Sequence, residues 1–594
     1  MQNEVPRGEH PRPQLKRESW ETLNGLWEFD FDFSKSGLEK EKWKEEVYPH
    51  EILIPFCPES RLSGIAYTDF IPAVWYRRTF ELSGDKMKGK VLLHFGAVDY
   101  ECRVWINERE VGIHKGGYTS FTFDITAFVT EGENTVVVYA ADDIRSGRQA
   151  SGKQSRRCGS HGCFYTRTTG IWQSVWLEYV PDSYIKGLKI NTDAFNGIVD
   201  ITAKLEEGEG AKLTFLVKRN GKCEKKESVF AGHRQAVCFL KMENPSLWSP
   251  ESPNLYEMEI ILEKDGMTDR VESYFGIRTI EWKNHGFYLN GEPLFQRLVL
   301  EQGFYPEGIY TAPTEEDLIR DIRLAKELGF NGARLHEKVF EERYLYHADR
   351  LGYMVWGEYA DWGLDITDAR GLEIILPEWM EVLERDYNHP AIIGWCPFNE
   401  TFDYPVDNPR RTQDDEVIRS LYHVTKTLDP TRPVIDTSGF YHVETDIYDL
   451  HDYEQYPEVF QERYGSLEPG QECYDEKEGR QHYDGRQPLF MSEYGGTFWA
   501  ENEEDRKSFQ QDEGWKRWKN PESAEEVCER YTGLTEVLLN SSAFCGFCYT
   551  QLTDIEQEKN GLYTYDRRKK FPEAFYQRIY RVNTQKAICE KNKK

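Results

Sequence analysis

The stretch TEEDLIRDIRLAKELGFNGARLH, residues 314–336, decides the fold of the second half of the chain. Thr314 has the character of an N-cap, and Asp317 three residues later can complete a capping box. Apolar residues then recur at helical spacing until Gly329, which favours a C-terminal stop. A short strand-like run follows directly, so the stretch predicts a helix that leads into a buried strand.

Short apolar runs continue to alternate with helical patterns through the rest of the chain. These runs are NGARLH, YMVWGEYAD, AIIGWCPFNE, PVIDTSG, DIYDLHDYE, PLFMSEYGG and AFCGFCYTQLTD. Strand and helix in alternation over roughly 300 residues are typical of a parallel α/β barrel. We therefore predict a (β/α)8 TIM barrel over residues 277–594.

The residues upstream of the barrel show β periodicity instead. Between 20 and 180, strands such as KVLLHFGAVDYECRVWINEREVG alternate with period two, which favours a sandwich or jelly roll. Residues 182–276 have the strand spacing of a smaller β-sandwich. The predicted domains are 1–181, 182–276 and 277–594.

Composition limits the possible partners. The chain has 594 residues and a formal net charge of −29, whereas a nucleic acid backbone requires a basic face. No apolar stretch approaches the ~18 residues of a membrane helix, and the N-terminus lacks a signal-like apolar core. We expect a cytoplasmic protein that binds neither nucleic acid nor membrane, with homo-oligomerisation allowed.

Two groups of cysteines have the spacing of half a zinc site or of a redox pair. Cys545 and Cys548 form C-G-F-C, and Cys158, His161 and Cys163 form C-G-S-H-G-C. Neither has a matching second pair nearby. We interpret them as free thiols in a strand and a loop, and we predict neither a metal nor a cofactor.

Two apolar runs end in carboxylates. AIIGWCPFNE leads into Glu400 and QPLFMSEYGG leads into Glu493. Catalytic groups of a TIM barrel lie at the C-terminal ends of its strands, and these are about the fourth and the seventh, so the two side chains can converge. Converging carboxylates suit glycoside hydrolysis. The alternative is that each glutamate caps a strand by pairing with an arginine such as Arg334.

Motifs along almost the whole chain resemble glycoside hydrolase family 2, which contains β-galactosidases, β-glucuronidases and β-mannosidases. The N-terminal motifs LNGLWEF, IPFCPESRLSGI, VWYRRTF and GIWQSVWLE resemble its jelly-roll sugar-binding domain. The motifs LWSPESPNLY and YFGIRTIE resemble its immunoglobulin-like domain. The motifs GFYLNGEPLF, GFNGARLH, ADRLGYMVWGE, NHPAIIGWCPFNE and MSEYGG resemble its barrel.

The resemblance implies roles for the two glutamates and their neighbours. Glu400 matches the general acid/base and Glu493 the nucleophile of a retaining mechanism. Asn399 matches the residue that hydrogen-bonds the sugar 2-hydroxyl. Arg334 matches the arginine that keeps the nucleophile ionised.

Further site residues follow from the same resemblance. His336 and His389 match histidines found around the site, although His389 can equally be structural. Tyr453 is the candidate for the tyrosine that contacts the nucleophile, with His451 and Tyr448 as alternatives. Glu358 is a candidate substrate-binding residue.

Departures from the family pattern concern the metal and the substrate. Glu358 and Asp361 follow the third strand without the histidine of a magnesium site. Glu558 and Asn560 stand where β-glucuronidases carry Asn-x-Lys, which argues against a glucuronide. Phe164 stands where the sugar-binding domain often lends an aspartate to the site.

The leading hypothesis is a retaining exo-β-glycosidase of β-galactosidase type that acts on a small glycoside or oligosaccharide. A β-hexuronidase or β-pyranopentosidase is the alternative, with Arg167 or the pair Arg410 and Arg411 meeting a sugar carboxylate. The remote alternative is an inert carbohydrate-binding protein.

Overall fold

The computed structural model describes residues 5–401, 413–474, 483–500 and 519–591. It contains separate hydrophobic cores, which follow one another along the chain. The cores belong to a jelly roll, an immunoglobulin-like sandwich and a TIM barrel, as predicted. In the described ranges, no helix has both the length and the apolar character of a bilayer-spanning segment.

The jelly roll packs two antiparallel sheets face to face, in the orders β1-β12-β5-β9 and β3-β2-β4-β10-β7-β8. Its strands are β1 Trp20–Thr22, β2 Gly25–Phe31, β3 His50–Ile54, β4 Ala73–Leu82, β5 Lys90–Phe95, β6 Val98–Asp99, β7 Glu101–Ile106, β8 Arg109–Lys115, β9 Phe121–Asp124, β10 Gly132–Ala141, β11 Gly170–Ile171 and β12 Val175–Val180. Cys102, Val104 and Ile106 of β7 are buried in the core between the sheets, as their alternation predicts. Trp105, on the opposite face, is covered by Trp75 and a stacked Trp43.

The immunoglobulin-like sandwich also has two antiparallel sheets, in the orders β13-β14-β17 and β16-β15-β18-β19. Its strands are β13 Tyr184–Asp193, β14 Ile198–Glu206, β15 Lys212–Arg219, β16 Lys222–Phe230, β17 Gln235–Lys241, β18 Tyr256–Lys264 and β19 Met267–Phe275. Arg17, from the N-terminal segment, joins this domain to the jelly roll. It pairs with Asp269 of β19 at 2.9 Å and with Glu178 of β12 at 2.6 Å.

A small hairpin sheet of β20 Ile280–Lys283, β21 Gly286–Leu289 and β22 Glu292–Pro293 precedes the barrel. The barrel strands pair in parallel in the order β26-β25-β24-β23-β29-β28-β27. They are β23 Gln296–Glu301, β24 Gly332–Leu335, β25 Met354–Glu358, β26 Ile392–Cys396, β27 Tyr448–Asp452, β28 Leu489–Gly495 and β29 Phe544–Thr550. The extended segment 434–438 holds the fifth position and forms parallel bridges to Trp395 and Asn399.

The helices of the barrel domain lie between its strands and after the last one. Their described members are α1 Glu315–Glu327, α2 Glu342–Leu351, α3 Arg370–Asp386, α4 Asp415–Leu428, α5 Pro457–Tyr464, α6 Ala524–Asn540, α7 Glu573–Asn583 and α8 Ile588–Lys591. Helix α1 begins with the capping box of Thr314 and Asp317 and is followed by Gly329 at a φ of +81°. The apolar stripe of α1 is buried, so the sequence prediction for this stretch is confirmed.

The connections between domains are short. Strand β12 ends at Val180 and β13 begins at Tyr184, while β19 ends at Phe275 and β20 begins at Ile280. We propose domain boundaries within these connections, at 181/182 and 276/277.

Candidate active site

Arg334 ties together the ends of four barrel strands. It lies on β24 and is 1% exposed. Its Nε donates to Glu358 Oε1 at 2.5 Å, and its Nη1 donates to Glu493 Oε1 at 3.0 Å and to the Ser492 carbonyl at 2.8 Å. Its Nη2 donates to Asn399 Oδ1 at 3.2 Å. The strand ends therefore meet around one guanidinium, and Arg334, Glu358, Asn399 and Glu493 come together as predicted.

Glu400 and Glu493 face each other across the barrel mouth. Glu400 follows β26, and its backbone N–H donates to the Ser438 carbonyl at 2.9 Å. Glu493 lies on β28. Together with His451, the two glutamates place one ligand-type atom each within 4.8 Å of one another. Carboxyl groups at about 5–5.5 Å suit a retaining glycosidase.

Glu400 has an unusual backbone conformation. Its φ is +50°, in the left-handed region, where residues other than glycine are uncommon. Such backbone strain concentrates at functional sites, where surrounding contacts hold the residue in place. The hydrogen bond to Ser438 in the fifth strand position is one such contact. Arg334 pairs with Glu493, whereas Glu400 contacts His451, so Arg334 itself does not cap both strands.

His451 bridges the two glutamates. It lies on β27, and its Nδ1 is 2.7 Å from Glu400 Oε1 while its Nε2 is 3.5 Å from Glu493 Oε1. Burial alone would lower the pKa of His451, but Glu493 and Glu400 outweigh it and raise this pKa above its ordinary value. The position of the ring between two carboxylates therefore favours its protonated form.

Tyr453 supplies a further contact to Glu493. Its hydroxyl donates to Glu493 Oε2, which is the contact expected of it. Tyr448 instead packs in the barrel wall against His442, with ring centroids 4.7 Å apart. Tyr453, the candidate from the sequence, is thus the tyrosine that contacts Glu493, whereas the sequence treated His451 only as an alternative to it. The missed signal is the period of two along β27, which puts Asp449 and His451 on one face.

The charge state of Glu493 depends on its cationic neighbours. Burial raises the pKa of Glu493, but His451, His336 and Arg334 together more than offset it, so the pKa is lowered overall. Burial and the nearby Lys153 keep the pKa of His336 itself well below its usual value. The neutral ring of His336 lies 3.1 Å from Glu358 Oε2. Glu493 is thus ionised, as a nucleophile must be.

The candidate site also contains a hydrogen-bond donor that contacts no described acceptor. The Nδ2 of Asn399 is buried and has no hydrogen-bond partner among the described residues. Its Oδ1 is fixed by Arg334, and its backbone N–H donates to Asp361 Oδ1 at 2.8 Å. The amide is therefore held rigidly with one donor left for a ligand.

Family models match the three domains in order. The description "Glycosyl hydrolases family 2, sugar binding domain" matches residues 61–179, "Glycosyl hydrolases family 2" matches 183–278, and "Glycosyl hydrolases family 2, TIM barrel domain" matches 280–580. The chain belongs to glycoside hydrolase family 2. The resemblance drawn from the sequence motifs is confirmed.

Relatives in the family carry two kinds of name. A β-galactosidase of Thermoanaerobacter pseudethanolicus is 28% identical over 70% of this chain and 53% of its own length. A β-glucuronidase of Paenibacillus borealis is 27% identical over 71% of this chain and 74% of its own. This chain thus spans about half the length of the first of these relatives. A solved β-glucuronidase from Ruminococcus gnavus shares the fold, with a TM-score of 0.76, 18% identity and coverage of 98% and 100%.

Two residues expected near the site lie elsewhere. His389 precedes β26 at the opposite end of the barrel, where its Nδ1 contacts Asp349 at 2.6 Å and Tyr274 at 3.3 Å. The structural alternative for His389 is therefore the correct one. The terminal nitrogens of Arg167 donate to backbone carbonyls of its own domain, among them Ser155 at 3.0 Å and Cys158 at 3.3 Å. Arg410 and Arg411 lie outside the described residues.

Glu558 and Asn560, two of the departures from the family pattern, belong to a hydrogen-bonded wall beside the site. Tyr165, from the jelly roll, donates its hydroxyl to Glu558, and the Asn560 amide donates to the other oxygen of Glu558 at 2.8 Å. Gln551 donates to Asn560 at 2.7 Å, and Gln302 donates to Tyr165 at 3.0 Å. The wall is therefore built from both domains, and its members position each other.

A metal ion does not fit the donor set. Glu400, His451 and Glu493 each offer one ligand-type atom, but Glu493 already accepts from Arg334 and Tyr453. The pKa of His451 is raised by the two glutamates, so a metal would have to compete with a proton for its ring nitrogen. Glu358 is likewise engaged by Arg334 and His336.

Chelation is expected to leave activity unchanged. A family 2 enzyme that depended on magnesium would lose turnover in EDTA and regain it on addition of the ion. Rates of aryl β-glycoside hydrolysis before and after EDTA treatment measure this directly. Loss of most activity, restored by magnesium, would contradict the interpretation of Glu358 and Asp361.

Replacement of His451 by glutamine removes the positive charge between the glutamates. Hydrogen bonds to charged groups contribute about 1.5–3 kcal/mol, so kcat/KM should fall by roughly 10- to 100-fold. The pKa of Glu493 should rise, because His451 helps to lower it. The acidic limb of the pH profile of kcat/KM should therefore move to higher pH.

The exposed His423 of α4 provides a matched control, since its side chain is 58% exposed. His423→Gln should keep both the rate and the pH profile. A His451→Gln enzyme with an unshifted acidic limb would show that His451 does not set the charge of Glu493.

Proposed function

We propose that the protein is a retaining exo-β-glycosidase that hydrolyses a terminal β-linked sugar. The single observation that carries the proposal is the approach of Glu400 and Glu493 at the barrel mouth. An inverting enzyme needs room for a water between its carboxyl groups, about 6.5–9.5 Å, whereas a retaining enzyme needs only about 5–5.5 Å.

In the first step Glu493 attacks the anomeric carbon. The bond between this carbon and the glycosidic oxygen breaks, and Glu400 donates its proton to the departing oxygen. An ester between Glu493 and the sugar results. Arg334 and His451 hold Glu493 as a carboxylate before attack.

In the second step water cleaves the ester. Glu400, now ionised, takes a proton from the water, whose oxygen attacks the anomeric carbon and releases Glu493. The free Nδ2 donor of Asn399 suits the sugar 2-hydroxyl, where hydrogen bonds strengthen in the transition state.

The identity of the sugar is the finer part of the proposal. The sequence favours a galactoside because the lysine of the Asn-x-Lys motif is missing at Asn560. The relatives, however, carry the names β-galactosidase and β-glucuronidase alike. The preference for a neutral sugar therefore depends on whether another cation reaches the pocket.

Replacement of Glu493 by glutamine should nearly abolish turnover of an aryl β-glycoside, because no covalent intermediate can form. Azide should restore some activity to Glu493→Ala and yield a product of inverted configuration. Steady-state rates and product NMR measure both effects. Glu373→Gln, on the exposed face of α3, is the matched control. A Glu493→Gln enzyme that kept more than a few per cent of the rate would refute the assignment.

Replacement of Glu400 by alanine should cost orders of magnitude on a disaccharide, since a sugar alkoxide needs a proton to leave. A dinitrophenolate leaves without help, so the first step on a dinitrophenyl glycoside should be much less affected. The alkaline limb of the rate–pH profile should vanish in Glu400→Ala. Pre-steady-state rates on the two substrates test this.

Equal slowing of both substrates with the alkaline limb intact would make Glu400 a structural residue. The acid would then have to be another carboxyl group near the barrel centre. Glu358 and Glu301 are the first to test. Burial raises the pKa of Glu301 to about 8.

A further inference from the structure

A loop of the jelly roll presses on the barrel mouth and carries Lys153. The backbone N–H of Gly152 donates to the carbonyls of Ala360 at 3.2 Å and Trp362 at 3.0 Å. Gly152 has a φ of +52°, and a Cβ there would lie 2.2 Å from the Glu337 carbonyl oxygen. Only glycine permits this approach, so the position of Lys153 over the barrel is fixed by backbone contacts.

The ammonium group of Lys153 lies at the edge of the candidate active site. The residue is 6% exposed. Its Nζ is 3.9 Å from the centroid of the Trp362 ring, and the Trp362 indole donates to the Asn399 carbonyl at 3.0 Å. One aromatic ring therefore separates this cation from the residue that precedes Glu400.

Lys153 differs from the other buried lysines in its lack of acceptors. Lys338 donates to the carbonyls of Gly303 and Tyr310, and Lys570 donates to Asp554 at 2.7 Å. Among the described residues, Lys153 Nζ makes no hydrogen bond and has no carboxylate within 4.0 Å, and it packs over the Trp362 ring instead. An anionic ligand can therefore bind this ammonium without displacing a protein acceptor.

The surroundings keep Lys153 charged. Burial lowers the pKa of Lys153, but Cys163, Glu558, Glu493 and Glu400 outweigh it and raise this pKa above its usual value. These carboxylates act from beyond ion-pair distance. The oxygens of Glu558 are also engaged by Tyr165 and Asn560. The ammonium therefore has all three of its donors available.

We propose that Lys153 binds the carboxylate of a hexuronic acid as the terminal sugar, which makes the enzyme a β-hexuronidase. This inference rests on the proposed glycosidase function and names its substrate class. Glu558, Glu493 and Glu400 all act electrostatically on Lys153, so its charge is close to both the wall and the two glutamates, and the acidic group it binds belongs to the sugar whose bond is cleaved. An ionised carboxylate is the partner that a buried ammonium requires, and a sugar hydroxyl satisfies it only in part.

The assignment also accounts for the missing motif. Asn560 occupies the place of the motif lysine, and Lys153 brings a cation to the same pocket from another domain. Both terminal nitrogens of Arg167, the alternative from the sequence, donate to backbone carbonyls. The fold thus offers a cation for a uronide without the Asn-x-Lys sequence.

The test compares p-nitrophenyl β-D-glucuronide, β-D-galacturonide and β-D-galactoside as substrates of the wild type, Lys153→Met and Lys153→Arg. The wild type should prefer one of the uronides. Lys153→Met should lower the ratio of uronide to galactoside kcat/KM by about 100-fold, because a charge partner of the substrate is lost. Lys153→Arg should retain part of the preference. Lys88→Met is the matched control in the same domain, since Lys88 is 74% exposed.

Binding gives a readout that does not need turnover. Calorimetry on Glu493→Gln should show tighter binding of D-glucuronate or D-galacturonate than of D-galactose, and Lys153→Met in that background should remove the difference. Melting temperatures of the variants establish that they are folded.

The outcomes separate the two proposals. A wild type that cleaves the galactoside but neither uronide overturns the role of Lys153 and leaves the glycosidase function standing. Equal loss on all substrates in a folded Lys153→Met enzyme also overturns it, since the residue would then not discriminate. A wild type that cleaves no β-glycoside, neutral or acidic, refutes the proposed function itself.

Discussion

The guanidinium of Arg334 is a permanent positive charge with almost no access to water. Such a charge is stable inside a barrel only when its donors are paired, and breaking a buried ion pair costs about 3–5 kcal/mol. Its partners Glu358, Asn399 and Glu493 come from different strand ends. The pairing therefore fixes the mutual position of these strand ends, and the geometry of the site follows from one desolvated cation.

The pKa of each ionisable group at the site depends on the groups that contact it and not on the overall composition of the chain. His336 and His451 are both buried, yet the pKa of the first is lowered and the pKa of the second is raised. Burial and Lys153 lower the pKa of His336, whereas Glu493 and Glu400 on either side of His451 outweigh the effect of burial there. In a chain with a net charge of −29, the local balance at the barrel mouth is set by a few buried cations.

The sequence predicted what depends on local periodicity. The cap and stripe of α1, the alternation of β7 and the glutamates at the ends of strands four and seven all follow from short-range patterns. The contacts of His451 and Lys153 do not, because the partners of a side chain across a barrel or in another domain leave no periodic signal, even where a period of two puts His451 on the same face of β27 as Asp449. For the same reason, only the tertiary structure shows that the terminal nitrogens of Arg167 donate to backbone carbonyls. The motif that contains His389 suggested a position near the site, but His389 precedes β26 and lies at the opposite end of the barrel.

The hydrogen bond between Tyr165 and Glu558 joins residues 393 positions apart. A ribosome delivers the jelly roll before the last barrel strand, and domains generally fold in the order of synthesis. Both glutamates emerge before Glu558 does. A nascent chain, or one cut by a protease before Glu558, can thus carry the complete carboxylate pair and still lack one wall of the site. Selectivity, as distinct from possession of the reacting groups, arises only once the segment that carries Glu558 has been added.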